Sequence, residues 1–404
     1  MTGPRLSVIV VSRHRAAALA RCVTAIRQQI GAQIELVVVA DPAGLASVQA
    51  DDIKGICFDQ ANISAARNLG LGVAAGQIVA FVDDDAVPEP TWAARVLAPF
   101  ADGATVAATG FVRGRNGISM QWRCSAVDRL GQDHPLEVPD SGVVYPDAGP
   151  GRVIKTQGTN CAFRADVLRG IGGFDPSYRF FLDETDVNLR MAGLGRTAVV
   201  PLAQVHHGFL ASERRRADRV PLSLHEIAAS TAVFLRRHAP AHLDAGRAAL
   251  VAGQQRRVDQ HLAARRIDRG AAHALMASLA EGWAEGLGRG VPDLRSLNPP
   301  EAAWRPLTLR ATGAGVFLAG WSWRRHKLEA EAAEAVAAGK IVSVLCLSPG
   351  VRRHWLGFDP RGFWIQVGGL WGRADRSAPA PWGCNFLQRS TAISSDFRLF
   401  RPLG

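Results

Sequence analysis

The stretch IVAFVDDDAVPEP (78–90) places three consecutive carboxylates, Asp83, Asp84 and Asp85, at the end of an apolar run. Like charges a few ångströms apart repel, so acids gathered at a strand end usually have a cation to neutralise them, and all-oxygen ligands select magnesium or manganese. The alternative is a polar loop that caps the next helix. A second acidic group, Asp183, Glu184 and Asp186 in LDETDVNLR (182–190), opens a short helical segment. Acids there also serve as caps, because they accept backbone N–H bonds and complement the helix dipole.

Groups of this kind need a rigid platform. The runs at 6–11, 34–40 and 78–82 are continuously apolar and rich in valine and isoleucine, the pattern of parallel strands covered on both faces. Between them lie a helix with Leu19, Cys22, Val23 and Ile26 on one face and a second helix over 65–74. Right-handed βαβ crossovers put the carboxyl ends of such strands along one edge, where α/β sheets bind ligands. Asp41 and the three aspartates share that edge. A dinucleotide site would need glycines in the turn after the first strand; SRHR (12–15) stands there instead and argues against NAD or FAD. The glycines of GLGVAAG (70–76) continue a helix and predict close packing.

Further along, the sequence predicts a helix near 92–100, a strand near 106–112, and an irregular insertion or active-site loop over 114–151. A helix over 184–192, closed by Gly193 and Gly195, and a strand over 197–200 follow. Amphipathic helices fill 220–283, a proline-containing linker 296–304, and a strand–helix–strand unit 313–347; GFWIQVGGLWGR (362–373) carries no assignable pattern. The expected division is 1–212, a helical extension at 213–300 and a smaller α/β region at 301–404.

A chain of 404 residues, 48% hydrophobic, can bury the cores this division requires. No stretch approaches the roughly 20 apolar residues of a membrane span, and the first residues lack a signal-peptide pattern. Six cysteines without a CxxC pair argue against a zinc site and fit a reducing cytosol. A net charge of +11 draws anions. Arg214, Arg215, Arg216 and Arg219, with pairs such as Arg256–Arg257, read as solvated helix faces or as a contact with an anionic membrane or a lipid diphosphate. Aromatics do not alternate with them as base stacking would require, so no nucleic-acid partner is expected. The expected location is cytoplasmic, with peripheral contact at the inner membrane face as an option.

SVIVVSRHR, the strand-end Asp41, NISAARNLGLGVAAGQIVAFVDDD, GTNCAFRADVLRGIGGFD and LDETDVNLRMAGLG, in this order over 5–212, resemble glycosyltransferase family 2. The resemblance implies a GT-A fold, an α/β architecture with a Rossmann-like, mostly parallel sheet flanked by helices. It also implies inverting transfer from a nucleotide diphosphate sugar, UDP-sugar favoured, to a hydroxyl of a glycan, lipid-linked or other acceptor, as in polysaccharide or glycoconjugate synthesis. By resemblance Asp85 ligates Mn2+ or Mg2+, Asp83 and Asp84 face the ribose and sugar, and Ser12, Asp41, Arg67, Thr159 and Asn160 line the nucleotide-sugar site. A divalent ion at that place would stabilise the charge that builds on the leaving diphosphate. His206 and His207 fall where many members carry a metal-binding histidine, with the inward one of the two left open. The family's catalytic aspartate falls on Glu184 and its preceding glutamate on Asp183, so the two acids are interchanged and both stand as candidates for the general base. An inactive scaffold or sugar-binding subunit is the alternative from another class. A sugar nucleotidyltransferase is disfavoured by SRHR, since it would want a glycine-rich phosphate loop.

Overall fold

The computed structural model describes residues 4–402 except 209, 212, 312, 314 and 376–378. Ser212, where the family resemblance ends, lies outside the described residues. The chain runs β1 (Leu6–Ser12), α1 (Ala16–Ile26), β2 (Ile34–Ala40), α2 (Pro42–Val48), β3 (Ile53–Cys57), α3 (Ile63–Val73), β4 (Ile78–Asp83), β5 (Ala86–Pro88), α4 (Trp92–Leu97) and β6 (Thr105–Arg113). It continues through β7 (Met120–Trp122), β8 (Ser125–Asp128), β9 (Asp133–Pro135), β10 (Arg152–Ile154), β11 (Asn160–Arg164), α5 (Ala165–Gly170), α6 (Asp183–Arg190) and β12 (Arg196–His207).

The main sheet has the order β3-β2-β1-β4-β11-β6-β12-β5, with β7 beside β6. β1 to β4 are mutually parallel where they pair, β11 is antiparallel to both neighbours, and β12 is parallel to β6. Alternation of side chains explains the unbroken apolar runs. Val8, Val10, Leu36, Val38, Ala80 and Val82 pack on one face under α1 and α4. Ile9, Val37, Val39, Val79 and Phe81 pack on the other under α3, α5 and α6. This is the helix-flanked, mostly parallel sheet that the sequence predicts. Gly70 of α3 sits where an added Cβ would lie 2.5 Å from Ile9 Cγ2, the close packing its sequence context predicts.

Two readings change. The segment 114–151 is not wholly irregular: β8 pairs with β9 and β10 in a separate three-stranded sheet. Strands of three or four residues are too short to show a period. The segment expected as a linker, with the residues just after it, is instead strapped along α5 and β2. Leu297 N–H donates to Arg169 O (3.0 Å), Arg305 N–H to Glu35 Oε1 (2.9 Å) and Leu307 N–H to Ile34 O (2.7 Å), and Leu307 joins the main core.

Helices α7 (His225–His238), α8 (Leu243–Ala263) and α9 (Arg269–Gly288) form the extension around Leu224, Ala228, Leu235, Leu279 and Trp283. Beyond the strap come β13 (Gly315–Trp321), α10 (Arg325–Ala337), β14 (Ile341–Ser348), β15 (Trp355–Phe358), β16 (Trp364–Gly369) and α11 (Phe386–Arg398). Their sheet has the order β13-β14-β16-β15, so the unassigned GFWIQVGG segment supplies a strand parallel to β14. All six cysteines are free. Among the described residues no helix is long and apolar enough to cross a membrane.

Candidate functional site

The alternation along β4 decides which acid meets which partner. Asp83 continues the face of Val79 and Phe81, toward α3 and α6, while Asp84 continues the face of Val82 and meets Ser12 at the end of the adjacent β1. Ser12 Oγ–H donates to Asp84 Oδ2 (2.7 Å). Arg15, in the turn between β1 and α1, places Nη2 2.8 Å from Asp84 Oδ1 and 2.8 Å from Asp85 Oδ2. Burial pushes the Asp84 carboxyl up to about 7, with Arg15 pulling the other way and Asp85 adding to the rise. Burial also opposes charge on Asp85. There the hydrogen bond and charge of His207, the charge of Arg15 and the Leu210 amide prevail, and its carboxyl stays below the ordinary range.

Immediately after the aspartates the chain turns back as β5, which pairs antiparallel with the end of β12: Ala86 faces His207 and Val87 faces His206. This short ladder carries His207 to Asp85. His207 Nε2 lies 3.3 Å from Asp85 Oδ1, and its Nδ1 is 3.3 Å from Gln121 Oε1. With Nδ1–H donated to Gln121, Nε2 is the ring nitrogen turned toward the acids, the one at which a metal would take the place of the proton. Asp83, Asp85 and His207 each offer a ligand atom within 4.8 Å of the others. Two carboxylates and one imidazole are a donor set that fits manganese.

The histidine pair is split. Neighbours on a strand face opposite ways, and His206 is turned from the acids toward buried Glu89, with Nε2 2.7 Å from Glu89 Oε1. The expectation of His206 as a ligand is corrected accordingly.

Arg67 of α3 joins the first acidic group to the second. Its guanidinium is buried, with Nη1 2.5 Å from Asp183 Oδ2, Nη2 donating to Gly158 O (2.9 Å) and Nη2 3.5 Å from Asp83 Oδ1. The rings of Phe81 and Phe174 lie 5.5 and 5.1 Å from its Cζ. Asp183 and Glu184 begin α6, behind two residues in the left-handed region, Phe181 (φ 73°) and Leu182 (φ 66°). Such backbone costs about 1–3 kcal/mol per residue and persists only where its surroundings enforce it. The extension does so: Phe234 packs on Leu182 and Tyr178, Ser230 Oγ–H donates to Phe180 O (2.6 Å), and His238 Nε2 lies 2.9 Å from Asp186 Oδ1. Asp186 is thereby a structural anchor. Burial raises the Asp183 carboxyl to about 7, and nearby Glu184 adds to the rise against the pull of Arg67. Glu184 is only partly buried.

The remaining candidates divide. Asp41 caps α2, accepting N–H bonds from His14 (2.7 Å) and Gly44 (3.2 Å), and these amides outweigh its burial to lower its pKa. Thr159 is buried, and its Oγ1 has no hydrogen-bond partner among the described residues. Asn160 is withdrawn from the site: its Nδ2 donates to Phe111 O (3.1 Å) and Ala203 O (2.8 Å), and its Oδ1 accepts from Trp92 Nε1 (2.8 Å). Fully buried and bonded on both sides, it ties β11 to β6 and, across β6, to β12, and does not face a ligand. Two residues of the site were not anticipated from sequence. Arg15 was visible in SRHR as a cation beside a ligand-binding edge, and Glu89, in VPEP, gave no signal because its partners are remote in the chain.

The glycosyl transferase family 2 model matches residues 7–170. The pre-mycofactocin glycosyltransferases of two Mycobacterium tuberculosis strains are 28% identical over 216 residues, 50% of this chain and 42% of theirs; this chain thus spans less than half their length. Among solved structures, the mannosyltransferase PcManGT of Pyrobaculum calidifontis, in complex with GDP-Man and Mn2+, is similar with a TM-score of 0.42 at 17% identity, covering 71% of this chain and 88% of that one. TarS of S. aureus gives 0.41 at 17%, covering 70% and 48%. Residues 7–170, the part of the chain that matches the glycosyl transferase family 2 model, hold Ser12, Arg67 and the three aspartates.

Proposed function

We propose that this chain transfers a sugar, with inversion, from a nucleotide diphosphate sugar, UDP-sugar first among them, to a hydroxyl of a glycan or lipid-linked acceptor. The observation that carries this reading is one connected group: Asp83, Asp85 and His207 offer ligand atoms within 4.8 Å of one another, and Arg67 ties Asp83 to Asp183, beside Glu184. Asp85, Asp83 and His207 would hold the divalent ion, which when bound offsets the negative charge on the departing diphosphate. Asp84, Ser12, Thr159 and Asp41 are assigned to the nucleotide and sugar.

Glu184 takes the proton of the acceptor hydroxyl. The acceptor oxygen forms its bond to the anomeric carbon from the face opposite the nucleotide, and the bond to the β-phosphate oxygen breaks with its electron pair leaving on the diphosphate. Arg67 and Gly158 fix the distance between the two ends of this process: a Cβ at Gly158 would lie 3.2 Å from Arg67 Nη2 and 3.5 Å from Glu184 Oε2. The acceptor is placed against the extension, whose α7 holds the segment before Glu184.

A panel of nucleotide sugars assayed with manganese, by chromatography of the released nucleotide, tests the reading. One donor is expected to turn over. Asp85→Ala and His207→Ala are each expected to lower that turnover by about 10²-fold or more, as loss of a metal ligand or a charge-stabilising group does. Turnover in Asp85→Ala equal to that of the parent, or undiminished by a chelator, would contradict the metal assignment.

A further inference from the structure

The acid that sequence reading missed lies at the junction of the two sheets. Glu89 is 1% exposed, four residues beyond Asp85, and its N–H donates to Gln204 O (3.0 Å) beside the β5–β12 ladder. Its Oε1 is shared by His206 Nε2 (2.7 Å) and Arg401 Nη2 (2.8 Å), and its Oε2 accepts from Arg401 Nε (2.9 Å). Arg401 follows α11 and is also 1% exposed. Its Nη1 donates to Ser343 Oγ of β14 (3.0 Å), and the centroid of the Trp364 ring, on β16, lies 4.1 Å from its Cζ. The same indole lies 4.7 Å from the His206 ring. His206 is therefore held by a carboxylate and an aromatic ring, both governed by the C-terminal sheet, while the next residue along the strand is the histidine that faces Asp85.

We infer that Arg401, through Glu89 and His206, is a positioning residue for His207, so that the C-terminal sheet is part of the metal site without touching it. The buried pair and the β5–β12 ladder form one unit: Glu89 is one residue beyond β5, His206 is paired with Val87 of β5, and Ala86 opposite His207 directly follows Asp85. A shift of the Glu89–His206 contact moves both metal-facing residues at once. A surface ion pair would not couple domains in this way, but a bidentate arginine and carboxylate withdrawn from water have few alternative arrangements. The inference rests on the metal-dependent reading above.

The test is direct Mn2+ titration followed by electron paramagnetic resonance of the free ion, on the whole chain without donor. Arg401→Met alone leaves a buried charge unpaired and is prone to unfold. The double variant Arg401→Met/Glu89→Gln removes both charges and keeps the volume, and Arg401→Lys restores a cation. The double variant is expected to keep the far-ultraviolet circular dichroism of the parent while weakening Mn2+ binding by about 10- to 100-fold; Arg401→Lys, on the parent background, should stay closer to the parent. At saturating Mn2+ the double variant should recover most of its kcat, the mark of a positioning defect. A folded double variant with the parent's Mn2+ affinity overturns the inference and leaves the reading of the site intact. If the double variant does not fold, Trp364→Phe, which keeps the charges and trims the indole, is read on the same titration, and unchanged affinity there overturns it equally. Absence of Mn2+ binding by the parent chain defeats the metal reading and the inference together.

Discussion

Glu184→Gln is expected to lower sugar transfer by about 10²- to 10⁴-fold while donor affinity stays within about twofold of the parent, because the amide keeps the size of the side chain and removes only its capacity to take a proton. Asp183→Asn should behave differently. Asp183 is buried against Arg67 and held protonated up to about 7, so its function is electrostatic. The charge that Asp183 presents beside Arg67 is lost as pH falls through about 7, so kcat/KM of the parent should fall below that pH and level off above it. Asp183→Asn has no carboxyl there to titrate and should lack that limb of the profile. A pH profile measured on both variants decides the assignment. If Asp183→Asn abolishes transfer and Glu184→Gln does not, the roles are reversed.

Arg67→Met carries the second large effect, on both stability and rate. The guanidinium links Asp83 to Asp183, and its loss leaves Asp183 buried without that cation. Breaking a buried pair by removing one partner costs about 3–5 kcal/mol, so the urea midpoint should fall markedly. Arg67→Lys tests geometry apart from charge. An ammonium is a point charge and cannot reach Asp183, Gly158 O and Asp83 as a planar fork does. Its turnover should be reduced by about 10²-fold, the cost of misplacing a group by an ångström, with a smaller loss of stability than in the methionine variant. A urea melt of Arg67→Met that superimposes on that of the parent would show that Asp183 does not depend on this pair.

Much of this site could be read from sequence because its central residues end long buried strands. The apolar run into Asp83–Asp85 and the run into Asp41 fix both the edge and the neighbours, since period-two alternation assigns Asp84 to Ser12 and Asp83 to the α3 side. The histidine pair shows where that logic stops. Adjacent residues must face opposite ways, but the phase depends on the pairing of β12 with β5, a strand of three residues with no pattern of its own. Asn160 was misjudged for a related reason. A polar residue in a turn suits a ligand site and a buried cross-link equally, and only the packing of Trp92, Phe111 and Ala203 around it separates the two. Glu89 and Arg401 lie beyond any local rule. The small sheet around β8 and the strap over 296–310 likewise depend on tertiary pairing.

Glu89 and Arg401 are 312 residues apart. At ribosomal speeds of about 5–20 residues per second, roughly 15 s to a minute passes between the synthesis of the two. Over the later part of that interval, once residue 170 has been added, a nascent chain carries the whole segment that matches the family model, yet the carboxylate that must sink into its core still lacks its counter-ion. Translation order and assembly order are thus opposed: the part made first closes its core only when the last part arrives.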